Sequence, residues 1–182
     1  MRLFVAVDLD DTVRKNIQDV ESELASKHNN QNFVKAENLH FTLKFLGEVD
    51  EKDVTPIGKG ILAAVEASAP FDLRVSGMGR FGSRKFARIV WVGVREGREE
   101  MARLSAALEK SLSKFRPAGK STCPHITICR AKGNTAALMD DVEKLKARDF
   151  GVLKVGSIKQ KSSELNTRGA VYKDIAEFRL GS

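Results

Sequence analysis

Two short segments of the chain carry the same four-residue pattern, and this pairing constrains the fold more than any other feature. His-Phe-Thr-Leu occupies residues 40–43, and His-Ile-Thr-Ile occupies residues 125–128. The chain has three histidines and seven threonines among 182 residues, so a threonine follows a given histidine by two positions with a probability of roughly 4%. Two such pairs among three histidines therefore indicate a common cause.

Each pattern lies in a short apolar run typical of a β-strand. Residues two apart on a strand project from the same face, about 6.5–7 Å from each other, so each strand is expected to have one apolar and one polar face. The residues expected on the two polar faces are His40, Thr42, Lys44, His125, Thr127 and Cys129.

The order of predicted elements also repeats. A strand, a helix, a His-x-Thr strand, a second helix and a third strand are predicted over residues 2–78 and again over 86–160, and a last strand over 170–180. The first strand of the first copy is predicted over 2–8, and the third strand of the second copy over 151–160. This order predicts an α+β fold with two similar lobes, each a mostly antiparallel sheet with outer helices. We expect a single bilobal domain over 1–182, with approximate halves 1–80 and 81–182. A twofold relation between the lobes would make the polar strand faces meet across a central cleft.

Two facing imidazoles are suited to acid–base catalysis, because one can accept a proton while the other donates one. The hydroxyls of Thr42 and Thr127 can hydrogen-bond the non-bridging oxygens of a phosphate. The reaction that fits best is the opening of a ribose cyclic phosphate, with the two histidine roles interchangeable on this reasoning.

Two cations are candidates for further substrate contacts. Lys44 follows the first pair on its polar face, and Arg130 could form a fork on the same phosphate. Arg130 is five residues after its histidine, so it reaches the polar face only if the strand ends or bulges there.

The charge distribution favours a polyanionic ligand. The net charge is +7, and no acid occurs from residue 110 to residue 139, around the second pair. Clustered cations suit such a ligand, because they concentrate phosphates and release their counterions. A solvated basic surface remains an alternative from charge alone.

Other functions can be considered for the same residues. A zinc site on Cys123, His125 and Cys129 is disfavoured, because the two cysteines lie about 20 Å apart on an extended strand. Cys123 as a nucleophile lacks a local signature. His28, in a polar loop, is expected to be a surface residue, and Tyr172 and Trp91 are expected to pack or to stack on a base. A non-catalytic module that binds RNA ends and a phosphodiesterase for small cyclic nucleotides remain open.

No apolar run approaches the about 20 residues that cross a membrane, and the two cysteines make no disulfide framework. A cytoplasmic monomer with no membrane contact is therefore expected.

Four segments together resemble the RNA 2′,3′-cyclic phosphodiesterases, or 2′-5′ RNA ligases, of the two-histidine phosphoesterase superfamily. They are MRLFVAVDL at 1–9, LHFTLKFLGEV at 39–49, PHITICRAK at 124–132 and SSELNTRGAVY at 162–172. The resemblance implies a central cleft and metal-independent hydrolysis of RNA 2′,3′-cyclic phosphate ends to 2′-phosphates, without a cofactor. It implies His40 as proton donor, His125 as proton acceptor, and Thr42 and Thr127 as phosphate contacts. It also implies reversible 2′-5′ ligation of RNA ends.

Overall fold

The computed structural model describes residues 1–115, 124–167 and 169–181. Its α-helices are α1 (Asp11–Lys27), α2 (Glu51–Glu66), α3 (Arg98–Ser111) and α4 (Ala136–Lys144). Its strands are β1 (Arg2–Asp8), β2 (Asn32–Phe33), β3 (His40–Glu48), β4 (Phe71–Gly82), β5 (Ala87–Glu96), β6 (Ile126–Arg130), β7 (Asp149–Val155), β8 (Ser157–Asn166) and β9 (Gly169–Arg179). A short 3₁₀ helix spans Ala36–Asn38.

These strands form one antiparallel sheet in the order β7-β4-β5-β6-β3-β1-β8-β9, and β2 adds to β6. The predicted α+β class and the antiparallel pairing are confirmed. The two predicted sheets are, however, joined into a single curled sheet, because β3 and β6 pair through Phe41 and Ile126. The two His-x-Thr strands are therefore the central neighbours, with three strands of the path on each side.

The third strand of each predicted repeat crosses to the other side of the sheet. β4 lies in the first half of the sequence but pairs with β5 and β7, whereas β8 pairs with β1. Consequently the sequence halves 1–80 and 81–182 each supply strands to both sides. The single bilobal domain over 1–182 stays a prediction.

The segment 151–160, predicted as one strand, is two strands in the structure. β7 ends before Gly156 and β8 begins after it. The two strands pair with β4 and β1, which lie on opposite sides of the central pair. The apolar pattern of the segment is continuous, so only the choice of partners shows the break.

The helices supply the apolar stripes that bury the back of the sheet. In α1 the buried residues include Val13, Ile17 and Leu24, and all three belong to the main hydrophobic cluster. Asp10 is the N-cap of the helix, and its carboxylate accepts a hydrogen bond from the Val13 backbone N–H at 2.7 Å, a cap worth about 1 kcal/mol. With the helices in this core, the cleft is lined by residues of strands, loops and the 3₁₀ helix.

Within the part of the chain that the structure describes, no helix is both long and apolar enough to cross a membrane.

Candidate active site

The two His-x-Thr patterns meet on neighbouring strands. Phe41 pairs with Ile126, and each is the residue between the histidine and the threonine of its own pattern. Continuing this antiparallel register puts His40 across from Thr127, and His125 across from Thr42. Both central residues are fully buried.

Because side chains alternate along a strand, the histidines and threonines leave the opposite face of the sheet. All four line one open cleft of about 870 Å³. The expected meeting of the two polar faces is therefore present in the structure.

A β-bulge follows Thr42 and changes which side chains reach the cleft. Thr42 pairs with Ala6, and Lys44 pairs with the next residue of β1, Val5, so Leu43 is the extra residue. The alternation reverses after it. The prediction that Lys44 shares the cleft face is wrong: its side chain is buried and its Nζ lies 2.6 Å from Glu109 Oε2. Phe45 lines the cleft in its place.

A second bulge follows Thr127 at the equivalent position. Thr127 pairs with Trp91, and Cys129 pairs with Val90, which leaves Ile128 as the extra residue. Arg130 thereby lines the cleft, and the bulge that its predicted position required is confirmed. The prediction for Cys129 is wrong, because its side chain is fully buried and burial raises the pKa of its thiol to about 12.

Phe45 and Arg130 are thus structural counterparts. Each is the fifth residue after the histidine of its pattern, and each reaches the cleft because of the bulge before it. One side of the cleft therefore carries an aromatic ring where the other carries a guanidinium group.

His40 is oriented by its backbone neighbour and by aromatic rings. Its Nδ1 lies 2.7 Å from the Asn38 carbonyl oxygen, which can only accept, so Nδ1 carries a hydrogen. Proton exchange is left to Nε2, which lies 3.0 Å from Thr42 Oγ1. The rings of Phe4 and Tyr172 hold the imidazole, with centroids at 5.1 and 5.3 Å.

The pKa of His40 lies below its ordinary value. Burial is the main cause, and the positive charges of Lys161 and Arg130 act in the same direction. The hydrogen bond to the Asn38 carbonyl and the negative charge of Asp8 oppose them. In the free protein at neutral pH, His40 is therefore mostly uncharged.

A cluster of four charges flanks His40. Lys161 Nζ lies 2.9 Å from Asp8 and 2.6 Å from Asp174, and Lys159 makes ion pairs of the same lengths with the same two carboxylates. Asp8 is also the β-ladder partner of His40. The charges of Lys161 and Asp8 in this cluster therefore act on the pKa of His40.

His125 is contacted edge-on by the ring of Phe81, with centroids 5.0 Å apart and planes at 88°. Phe81 in turn lies 5.9 Å from Trp91. Trp91 occupies the space above Gly79, where an added Cβ would come within 2.3 Å of the indole. A line of ring contacts thus runs from a glycine of β4 to the second histidine.

A strap of residues 31–35 forms the wall beside the second pattern. Val34 donates its backbone N–H to the Ile128 carbonyl at 2.8 Å. The Gln31 amide donates to the Lys132 carbonyl and accepts from its N–H. Sequence reasoning missed this wall, because no motif marks it and only its pairing with β6 brings it to the cleft.

The opposite wall comes from the hairpin of β8 and β9, which the sequence did not predict as part of the site. Ser163, Leu165, Ala170 and Tyr172 line the cleft there. Tyr172 was expected to pack or to stack on a base, and it packs against His40. The signal available in the sequence was an aromatic residue near each end of the chain, Phe4 and Tyr172, both of which contact His40.

His28 is not the plain surface residue that its polar loop predicts. Its Nε2 lies 2.9 Å from Asp141 Oδ2, and the two side chains are only 13% and 20% exposed. Lys144 and His28 together hold the pKa of Asp141 down at about 2. The pair joins the end of α1 to α4, away from the cleft.

Among residues 1–115, 124–167 and 169–181, no three histidine, cysteine or acidic side chains are grouped so that they could hold a metal ion. Cys123, the other cysteine considered as a ligand or nucleophile, lies outside the described residues.

The curled antiparallel sheet, with two His-x-Thr strands facing one cleft, defines the protein as a two-histidine phosphoesterase. A crystal structure of a Thermus thermophilus protein has the same fold, with a TM-score of 0.84 and 26% identity over 100% of this chain and 98% of that one.

The family model of the 2′-5′ RNA ligase superfamily matches residues 9–160, and the chain belongs to this superfamily. The RNA 2′,3′-cyclic phosphodiesterase of Methanothermobacter thermautotrophicus is 35% identical, with 99% of each chain covered. That of Archaeoglobus fulgidus is 36% identical over 98% of this chain and 99% of its own.

Proposed function

We propose that this protein is an RNA 2′,3′-cyclic phosphodiesterase that opens cyclic phosphate ends to 2′-phosphates. The observation that carries the proposal is the register of β3 and β6, which gathers both histidines and both threonines at one cleft. Near full-length relatives bear that name. The net charge of +7 suits a polyanionic substrate.

In the proposed reaction a water oxygen attacks phosphorus while its proton passes to His125. The bond from phosphorus to the ribose 3′ oxygen breaks, and His40 Nε2 donates a proton to that oxygen. Each step conserves charge within the site, since one histidine gains the proton that the other loses. Thr42 and Thr127 donate hydrogen bonds to the non-bridging oxygens, and the Arg130 guanidinium neutralises them.

The environment of His40 agrees with a proton donor that becomes protonated when the substrate binds. Its pKa is lowered in the free protein, chiefly by burial. An anionic phosphate beside the imidazole favours the charged form and raises the pKa again. His40 would therefore take up its proton when the cyclic phosphate binds.

Two imidazoles supply both proton transfers, so the proposed reaction needs no metal or cofactor. Replacing water by a 5′-hydroxyl of a second RNA gives the 2′-5′ ligation reaction with the same two histidines, and water favours hydrolysis by mass action. We place the protein in the cytoplasm as a monomer.

The test is incubation of an RNA oligonucleotide ending in a 2′,3′-cyclic phosphate with the protein and excess chelator. We expect a product that is sensitive to general phosphatase and resistant to an enzyme specific for 3′-phosphates. His40→Ala and His125→Ala should each reduce the rate by about 10²–10⁴-fold. His28→Gln is the matched control, since His28 pairs with Asp141 away from the cleft, and it should retain full activity.

The same experiment separates the alternatives. Tight RNA binding without conversion would identify a module that recognises RNA ends. Equal turnover of a cyclic mononucleotide and an oligonucleotide at low and high salt would identify a phosphodiesterase for small cyclic nucleotides, because a longer RNA adds phosphate contacts that depend steeply on salt.

A further inference from the structure

Two stretches of the sequence contain no acidic residue, and the fold places them side by side. One is residues 110–139, and the other is residues 73–95, which cover most of β4 and β5. β5 pairs with β6, with Ile89 directly opposite Arg130. The turn between β4 and β5 and the loop after β6 are therefore neighbours, next to an arginine that lines the cleft.

Backbone hydrogen bonds hold the turn against the loop. The Ala131 N–H donates to the Arg88 carbonyl at 2.9 Å, and the Thr135 N–H donates to the Lys85 carbonyl at 3.0 Å. The Thr135 hydroxyl also accepts from the Ala87 N–H at 2.9 Å. The cations of the turn and of the loop thus belong to one continuous edge.

Lys132 connects this edge with the cleft. Gln31 lines the cleft, and its amide donates to the Lys132 carbonyl at 3.2 Å and accepts from the Lys132 N–H at 2.9 Å. Arg130, a phosphate contact in the proposed reaction, is two residues away, at most about 7 Å of chain. We call Lys85, Phe86, Arg88 and Lys132 the basic rim.

The three cations of the basic rim are not neutralised by the protein. Lys85, Arg88 and Lys132 are exposed, and none of them makes an ion pair with another described residue. Their neighbour Arg84 differs, since its guanidinium pairs with the carboxylate of Asp140 in α4. Three positive charges on the rim are therefore available to a ligand.

The ring of Phe86 indicates what kind of polyanion fits the rim. It lies between Lys85 and Arg88 in the sequence and is 68% exposed, and the Phe86 N–H donates to the Ser83 carbonyl within the turn. Cations that attract phosphates, together with a ring on which a base stacks, are typical of surfaces that bind single-stranded nucleic acid. An acidic protein would use the charges but not the ring.

The other side of the cleft is less suited to a chain of phosphates. In the hairpin of β8 and β9, Lys159 and Lys161 pair with Asp174, and Lys173 pairs with Glu164. Cations that are already paired attract phosphates less, because the carboxylates repel them. The charge distribution therefore favours the rim as the exit from the cleft.

We propose that the RNA chain leaves the cleft over the basic rim, which binds phosphates and a base of nucleotides upstream of the cyclic end. The inference rests on the proposed function and deepens it. Phosphate contacts carry no sequence information, so the rim accepts any sequence and gives the protein a preference for longer RNA.

The test measures the affinity of two product-like ligands over a series of salt concentrations. One is a 2′-phosphate mononucleotide, and the other is an RNA of about ten nucleotides with the same end. The variant Lys85→Gln/Arg88→Gln/Lys132→Gln should bind the long RNA more weakly than wild type does. Its slope of log affinity against log salt should be less steep by about 2, since each phosphate contact on a single strand contributes about 0.7. The mononucleotide should be affected much less, because it ends at the cleft.

Two further variants separate the local contacts from net charge. Lys59→Gln/Arg148→Gln/Lys154→Gln removes the same three charges from exposed positions that are also unpaired among the described residues and outside the cleft lining. It should keep the wild-type slope. Phe86→Ala should weaken the long RNA by about 5- to 100-fold and leave the slope unchanged, because the ring carries no charge.

The inference requires both results. A wild-type slope in the rim variant, an equal change in the control variant, or wild-type affinity in Phe86→Ala would each overturn it. An equal loss on the mononucleotide would also contradict it and place the rim cations at the RNA end. The proposed function is tested separately by turnover, so a wild type that binds over the rim without opening the cyclic phosphate would refute that function and keep this inference.

Discussion

At the scale of single residues, the two histidines share a motif but have different surroundings. His40 has a carbonyl on Nδ1, two aromatic rings and a four-charge cluster. His125 is contacted by the ring of Phe81 in β4. The repeated His-x-Thr pattern predicts that both histidines take part but carries no information on this asymmetry. The asymmetry comes from the residues that pack around His40 from β1, the loop before β3, β8 and β9.

Lys161→Met should raise the pKa of His40. Lys161 carries a positive charge that lowers this pKa, and its loss leaves the carboxylates of Asp8 and Asp174 without one cation. A proton-detected NMR titration of the imidazole signals measures the shift directly. Lys173→Met is the matched control, because Lys173 of β9 makes an exposed ion pair with Glu164 of β8, and it should leave the titration unchanged. An unchanged or lowered pKa in Lys161→Met would contradict this account.

Glu21 is a second residue whose charge is set by the fold. It is buried in α1, and within the described residues its Oε1 has no hydrogen-bond partner. Burial raises the pKa of its carboxyl to about 8, against an ordinary value of 4.5, and the Val34 backbone N–H opposes the shift. The folded protein therefore holds this proton at neutral pH while the unfolded chain releases it.

The protein should consequently lose stability as the pH rises from about 4.5 to about 8, since the unfolded state binds fewer protons in this range. Glu21→Gln removes this loss, so its advantage in Tm over wild type should grow between about pH 5 and about pH 8. Glu23 is an exposed neighbour paired with Lys27, so the Tm of Glu23→Gln should change with pH in parallel with that of wild type. Parallel curves for Glu21→Gln as well would show that Glu21 is ionised in the folded state.

At the scale of elements, the sequence predicts where strands lie better than which way their side chains point. The first strand is predicted over residues 2–8, the bounds that β1 has. The predicted face of Lys44 is wrong because a bulge depends on the partner strand, here β1, and not on the local pattern. The same reason explains Cys129. Side chains before each bulge, including both threonines, follow the predicted alternation.

Gly79→Ala tests whether the ring contacts behind His125 matter. The new Cβ would come within 2.3 Å of the Trp91 indole, so the indole must move. We expect a loss of about 1–3 kcal/mol in the free energy of unfolding, measured by urea denaturation. The shift should pass through Phe81 to His125 and lower kcat/KM for the cyclic phosphate.

Gly156→Ala is the matched control. The space around Gly156 is open, with no described atom within 4 Å of an added Cβ, so the stability and kcat/KM of this variant should stay near wild type. If Gly79→Ala behaved like Gly156→Ala, the line of rings would not support the histidine.

At the scale of the whole molecule, the repeat predicts the central feature of the fold. This feature is the meeting of two strands whose histidines are 85 residues apart in the sequence. β6 and β3 are the middle pair, flanked by β7-β4-β5 and by β1-β8-β9. The exchange of β4 and β8 between the two sides was not predictable, because each has the apolar pattern of a strand and the pattern does not name its partner. The strap at 31–35 was missed for the same reason.

The most direct test of the two-histidine mechanism uses a cyclic end in which sulfur replaces the ribose 3′ oxygen. A thiol has a pKa of about 8.5 and is far more acidic than the ribose hydroxyl that it replaces, so a sulfur leaving group departs without a proton donor. Single-turnover rates should be measured for wild type, His40→Ala and His125→Ala on the oxygen and sulfur substrates.

The account predicts that the sulfur substrate restores most of the rate to His40→Ala and none to His125→Ala. Restoration of His125→Ala instead would reverse the two roles. Restoration of neither variant would contradict the claim that His40 acts by donating a proton to the leaving oxygen.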